Sequence, residues 1–131
     1  MFVENRQAGR WLGDFLPLLL WMGLIFWLSS RPTLIAIEHE LWQKLFYKSA
    51  HVFTYAVLCW LWWRALSARR ETGWHVLLAA VLLAGLYGVS DEIHQLYVPG
   101  RHGQAADVLF DLSGALAAVL LVRRWPWLRS V

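Results

Sequence analysis

Residues 74–98 read WHVLLAAVLLAGLYGVSDEIHQLYV. From Trp74 to Val89 there is no Asp, Glu, Lys or Arg, and then Ser90, Asp91, Glu92, His94 and Gln95 arrive together. About 20 predominantly apolar residues are the length of a helix that crosses a bilayer. At a rise of about 1.5 Å per residue, Asp91 lies roughly 26 Å along such a helix from Trp74. In a hydrocarbon core about 30 Å thick, that is the far third. An ionisable group there costs about 2.5–3.5 kcal/mol on insertion scales. The stretch therefore reads as a spanning helix whose acidic end must be shielded from lipid by neighbouring helices.

The rest of the chain supplies those neighbours. The other apolar stretches fall at about 11–29, 49–66 and 105–122, beside 74–97. Of the 131 residues, 59% are hydrophobic and only 16% are charged. Soluble domains average roughly 45–50% and about 25%. A chain this short has too little interior to hide so much apolar surface from water. Disorder is excluded by the same numbers, and a disulfide scaffold by the single cysteine. The predicted class is all-α: one domain over 1–131, an integral membrane four-transmembrane-helix bundle.

The net charge of +3 marks topology rather than a nucleic-acid partner. Eight basic residues (Arg6, Arg10, Arg64, Arg69, Arg70, Arg123, Arg124, Arg129) fall at one side of the four spans, and four (Arg31, Lys44, Lys48, Arg101) at the other. Basic residues collect in the cytoplasm, so both termini are expected there. Trp11, Trp62, Trp63, Trp74, Trp125 and Trp127 then mark the inner interface, and Trp27 and Trp42 the outer one. Trp21 and Trp60 are expected within the bundle or toward lipid. The first span reads as an uncleaved signal anchor, because no small-residue cleavage site follows it. A short interfacial helix is expected around 38–46.

Six of the nine carboxylates (Glu38, Glu40, Asp91, Glu92, Asp107, Asp111) belong to the outer side. His51 lies roughly 20 Å from Arg64 along its helix, and Asp111 roughly 18 Å from Arg123, so both share the depth of Asp91. The spacings Lys48/His51/Tyr55, Asp91/His94/Gln95 and Asp107/Asp111/Gly114 each place their members on one side of a helix. Gly88, Ala84 and Ala80 on the third span and Gly114 and Ala118 on the fourth predict a close seam between these two helices. The short 99–103 loop makes them a hairpin. A polar pocket is expected above that seam, with Arg101 reaching back to pair with Asp91 or Asp107.

Three blocks resemble the VanZ-like family of small membrane proteins: Lys48-Ser49-Ala50-His51 with Tyr55; Ser90-Asp91-Glu92-Ile93-His94-Gln95 followed by Pro99-Gly100-Arg101; and Asp107-Val108 through Asp111 to Gly114. Ser29-Ser30-Arg31-Pro32 is similar to the family's Ser-rich break. Tyr47 stands where the family often has Asp, and Asp111 where Asn is common. The resemblance implies a four-helix protein of the bacterial inner membrane linked to glycopeptide resistance, especially to teicoplanin. It implies no known reaction.

Each candidate residue has a chemical reading and a plainer one. Asp91, Glu92 and Asp107 are candidate acid/base groups, since like-charged carboxylates in a low dielectric do not ionise together; the plainer alternative is a salt-bridge network with Lys48 and Arg101. His51 is a candidate general base oriented by a carboxylate, or a metal ligand, with a buried histidine bonding across helices as the plainer alternative; Asp91, Glu92 and His94 could also supply oxygen and nitrogen ligands. Lys48, Tyr55, Gln95, Arg101 and Asp111 are candidates for holding a ligand. Arg101 suits a phosphate or carboxylate, and its alternative is a snorkelling anchor. Tyr55 could donate its hydroxyl or anchor at the interface. Cys59 reads as packing, Ser29 and Ser30 as a cap or turn, and His39, His75 and His102 as ordinary loop or interface residues. The histidine spacings fit no zinc pattern, so neither metal nor cofactor is expected. The expected partners are membrane lipids and a lipid-linked or glycopeptide ligand, with no nucleic acid. Three functions stay open: an enzyme on an amphipathic envelope molecule, a non-catalytic binder of such a molecule or of a partner, and a proton-coupled carrier acting as an oligomer.

Overall fold

The computed structural model describes residues 2–32, 37–67, 73–101 and 103–129, with side chains from Leu12 onward except those of Pro126 and Arg129. The expectations placed on the side chains of Arg6, Arg10, Trp11 and Arg129, and on Arg69, Arg70 and His102, lie outside the described residues. Helix α1 is Phe2–Ser29, α2 Glu40–Ser67, α3 Trp74–Gln95 and α4 Ala105–Arg124, closed by a 3-10 turn over Pro126–Arg129. No strand occurs among the described residues. Three segments are long and apolar enough to cross a membrane: Leu12–Ser29 of α1, Trp74–Gln95 of α3 and Ala105–Arg124 of α4.

Helix α2 departs from expectation. The interfacial helix expected around 38–46 is instead the first part of α2, which runs unbroken for 28 residues. No Gly or Pro stands between 40 and 67 to stop it. An i,i+4 ion pair between Glu40 and Lys44 supports its first turns. That pairing holds the exposed Glu40 carboxyl below the usual carboxylate range.

Contacts between side chains give the directions. Arg64 lies 3.7 Å from Asp14, Trp21 Nε1 donates to the Thr54 carbonyl at 3.1 Å, and Leu28 and Ser29 share a cavity with Phe46 and Tyr47. Helices α1 and α2 are therefore antiparallel. The Tyr87 hydroxyl donates to the Met22 carbonyl at 2.6 Å, and the His94 ring stacks on Phe26 at 4.6 Å, so α3 runs parallel to α1. Helix α4 turns back along α3 and lies parallel to α2, with Lys48 over Phe110 and His51 against Asp111.

The α2–α4 contact is the closest backbone approach. A Cβ on Gly114 would overlap the Val52 carbonyl and stand 3.1 Å from the Ala56 nitrogen. The seam expected between α3 and α4 is thus divided: Gly88, Ala84 and Ala80 are buried on α3, but Gly114 meets α2. Small residues permit such approaches whichever helix stands opposite, so composition alone does not name the partner.

The molecule is apolar outside and partly polar inside. Leu78, Leu82, Leu86 and Ile93 of α3 and Leu109, Leu116 and Leu120 of α4 are exposed, whereas Asp91, Glu92, Gln95 and Asp111 are buried. A solvent of acyl chains accounts for that inversion; water does not. Trp27, Trp42, Trp74, Trp125 and Trp127 are exposed, as interfacial residues should be. Trp63 is a correction: it is buried against the core rather than set at the interface. Cys59 is buried, in keeping with a packing role.

Candidate functional site

Asp91 and Glu92 are adjacent, so their side chains leave α3 about 100° apart. Asp91 faces α1 and α2, where it lines a cavity of about 270 Å³. Glu92 turns toward α4, and its Oε2 accepts the backbone N–H of Gln104 at 2.9 Å. That bond fixes the start of α4 against the end of α3. Gln95, one turn beyond Asp91, donates from Nε2 to Asp91 Oδ2 at 3.0 Å and lines the same cavity.

His94 shares neither direction. A step of three residues rotates about 60° short of a full circle and a step of four about 40° past it, so His94 and Gln95 diverge by about 100°. Its Nε2 lies 3.0 Å from the Ser30 hydroxyl, which also donates to the Phe26 carbonyl at 2.7 Å. His94 thus ties α3 to the end of α1 rather than joining the Asp91 face. Ser29 and Ser30 bond the Phe26 carbonyl, the turn role expected of them.

A further polar contact joins α2 and α4. His51 Nδ1 lies 2.8 Å from Asp111 Oδ1, with the Asp111 side chain fully buried. The Tyr55 ring lies nearly parallel to His51, 13° apart with centroids separated by 6.3 Å. Tyr55 is 1% exposed, which excludes the interfacial alternative. Three buried oxygens in this region have no hydrogen-bond partner: Tyr55 Oη, Glu92 Oε1 and Asp111 Oδ2. Gly88 makes room for them; a Cβ there would stand 2.9 Å from Asp111 Oδ2 and 3.2 Å from the Tyr55 ring.

The basic residues do not form the expected network. Arg101 pairs with neither Asp91 nor Asp107. Its Nε donates to the Arg31 carbonyl at 2.8 Å and its Nη2 to the Leu28 carbonyl at 3.0 Å. The last carbonyls of a helix lack intrahelical donors and carry the negative end of its dipole, so the guanidinium caps α1. Gly100, at φ +79°, makes the turn that delivers it. Lys48 is exposed and sits over the Phe110 ring at 4.5 Å. Asp107, in the first turn of α4, lines a second cavity of about 610 Å³ together with Lys48, Gln104 and Glu40. It does not join the buried cluster. The two cavities share Tyr47, His51, Gln95 and Arg101 as lining residues.

The structure therefore gathers His51, Tyr55, Asp91, Glu92, Gln95 and Asp111 at one depth, with Lys48, Arg101 and Asp107 at the rim. Sequence spacing missed the apolar wall formed by Ile25, Leu28 and Phe46.

These features define an all-helical membrane protein whose polar groups converge at one end of the bundle. The chain belongs to the VanZ/LLP1 family, whose model matches residues 15–128, and is thus a VanZ-like cell-envelope protein. No curated protein and no solved structure gives a significant match.

Proposed function

We propose that this protein sits in the bacterial inner membrane with all four helices crossing it and both termini cytoplasmic, and that its outward cavity binds an amphipathic envelope molecule. The lining carries this reading. Ile25, Leu28 and Phe46 offer an apolar wall, while His51, Asp91, Gln95 and Arg101 offer polar groups opposite. Such a cavity suits a molecule with an acyl or prenyl part and a polar head. The 610 Å³ vestibule above it has room for the head group.

Helix α2 fits a crossing despite its polar start. Its 28 residues extend about 42 Å, more than the hydrocarbon core requires. The turns around Glu40, Lys44 and Lys48 then stand beyond the core, and the rest packs against the other three helices and leaves Phe53 exposed. The excess of basic residues at the opposite end supports the orientation. The ligand class extends to lipid-linked and glycopeptide molecules, and the role to teicoplanin-type resistance, on the family membership alone.

The test is lipid mass spectrometry of the purified protein beside an Ala50→Trp variant, whose indole fills the cavity. A lipid or lipid-linked precursor enriched in the wild type and lost from a folded variant is the expected result. The same lipids in both proteins would remove the cavity as the binding site. Teicoplanin susceptibility of cells expressing each protein reads the proposed role separately.

A further inference from the structure

The buried cluster is rich in carboxyl groups. Glu92, Asp111 and Asp91 are 6%, 1% and 6% exposed. Across from them stands one imidazole, His51. The two cations near enough to help are engaged elsewhere, Lys48 on the Phe110 ring and Arg101 on the α1 carbonyls. Among the described residues, the ion pair that reaches this cluster is His51–Asp111. Buried charges are ordinarily paired or bound to metal ions.

Donor atoms of His51, Glu92 and Asp111 all lie within 4.8 Å of one another. Both carboxylates of this trio have an oxygen that is buried without a partner, Glu92 Oε1 and Asp111 Oδ2. The Tyr55 hydroxyl, outside the trio, is likewise buried without a partner. The geometry points to a site for one divalent cation on His51, Glu92 and Asp111. One nitrogen and two carboxylate oxygens suit Zn2+ or Mn2+ better than Ca2+, which takes six to eight oxygens. Ligands bound at about 2.0–2.2 Å stand roughly 3–3.5 Å apart, a contraction within the reach of side-chain rotation.

The three residues come from α2, α3 and α4, which explains why no short metal motif appears in the sequence. A cation there clamps these helices together. The site does not depend on what the cavity holds, and it is tested without any envelope molecule, so either reading can fail alone.

The test uses the full chain in detergent, with no affinity tag, stripped by chelator and then gel-filtered after exposure to Zn2+, Mn2+ or Ca2+. Elemental analysis should find about one Zn2+ or Mn2+ per chain, and the unfolding temperature should rise on loading. The near-isosteric variants Glu92→Gln and Asp111→Asn should each weaken uptake at least tenfold, the scale on which metal sites respond even to outer-shell changes. Absence of uptake, uptake equal in both folded variants, or a response to Ca2+ alone would overturn the site. If the variants do not fold, Co2+ on the wild type decides. The absorption of a four- or five-coordinate nitrogen/oxygen site supports the assignment, and that of the hexaaqua ion refutes it.

Discussion

Gly114 is the residue on which the α2–α4 contact turns. Its missing side chain lets the Val52 carbonyl lie against the α4 backbone, and a Cβ meets peptide atoms that cannot rotate away. Gly114→Ala should therefore cost about 1–3 kcal/mol, the usual range for an overpacked site, and lower the thermal unfolding midpoint in detergent. Gly88→Ala should act differently. The obstacles there are the Asp111 carboxylate and the Tyr55 ring, so the change disturbs His51–Asp111 before it parts two helices. Both glycines were visible in the sequence as close-approach positions. Which neighbour each one admits was not, because a small residue states only that something comes near.

At the scale of elements, the end of α1 depends on a residue seventy positions away. Arg101 bonds the Leu28 and Arg31 carbonyls, and His94 adds a contact through Ser30. Hydrogen bonds from a charged donor contribute about 1.5–3 kcal/mol each when well formed. Arg101→Ala should release this end, read as faster amide hydrogen exchange over residues 26–32, by about tenfold for each 1.4 kcal/mol lost. Arg101→Lys should recover only part of the protection, since an ammonium lacks the fork that reaches two carbonyls. Unchanged exchange in both variants would remove the capping role. Sequence reasoning recognised Arg101 as a polar group at the mouth of the site but gave it an acidic partner. Charge complementarity favoured Asp91 or Asp107; the orphan carbonyls of a helix end, invisible in side-chain patterns, took it instead.

For the whole molecule, the exposed leucines and the convergent polar end fix which surfaces meet acyl chains and which meet water. The inward or outward sense rests on the basic residues. In a Cys59→Ala background, Pro99→Cys should react with a membrane-impermeant maleimide on intact spheroplasts, and His75→Cys only after lysis. The reverse pattern would invert the orientation and turn the cavity toward the cytoplasm. Labelling of both on intact cells would remove the proposed crossing by α3.

Composition and apolar run length were enough to determine a helical membrane protein and the positions of its four helices to within a few residues, apart from the early starts of α1 and α2, each about nine residues ahead of its apolar span. Helical rise was enough to bring His51, Asp91 and Asp111 to one depth. Those properties are local, because length, period and rise follow from the backbone geometry of each segment taken alone. Pairing is not local. That His51 meets Asp111, that Glu92 turns to α4 while Asp91 lines the cavity, and that Arg101 caps α1 depend on the rotation of each helix about its own axis. Packing against the other three helices sets that rotation, so only the assembled bundle decided it.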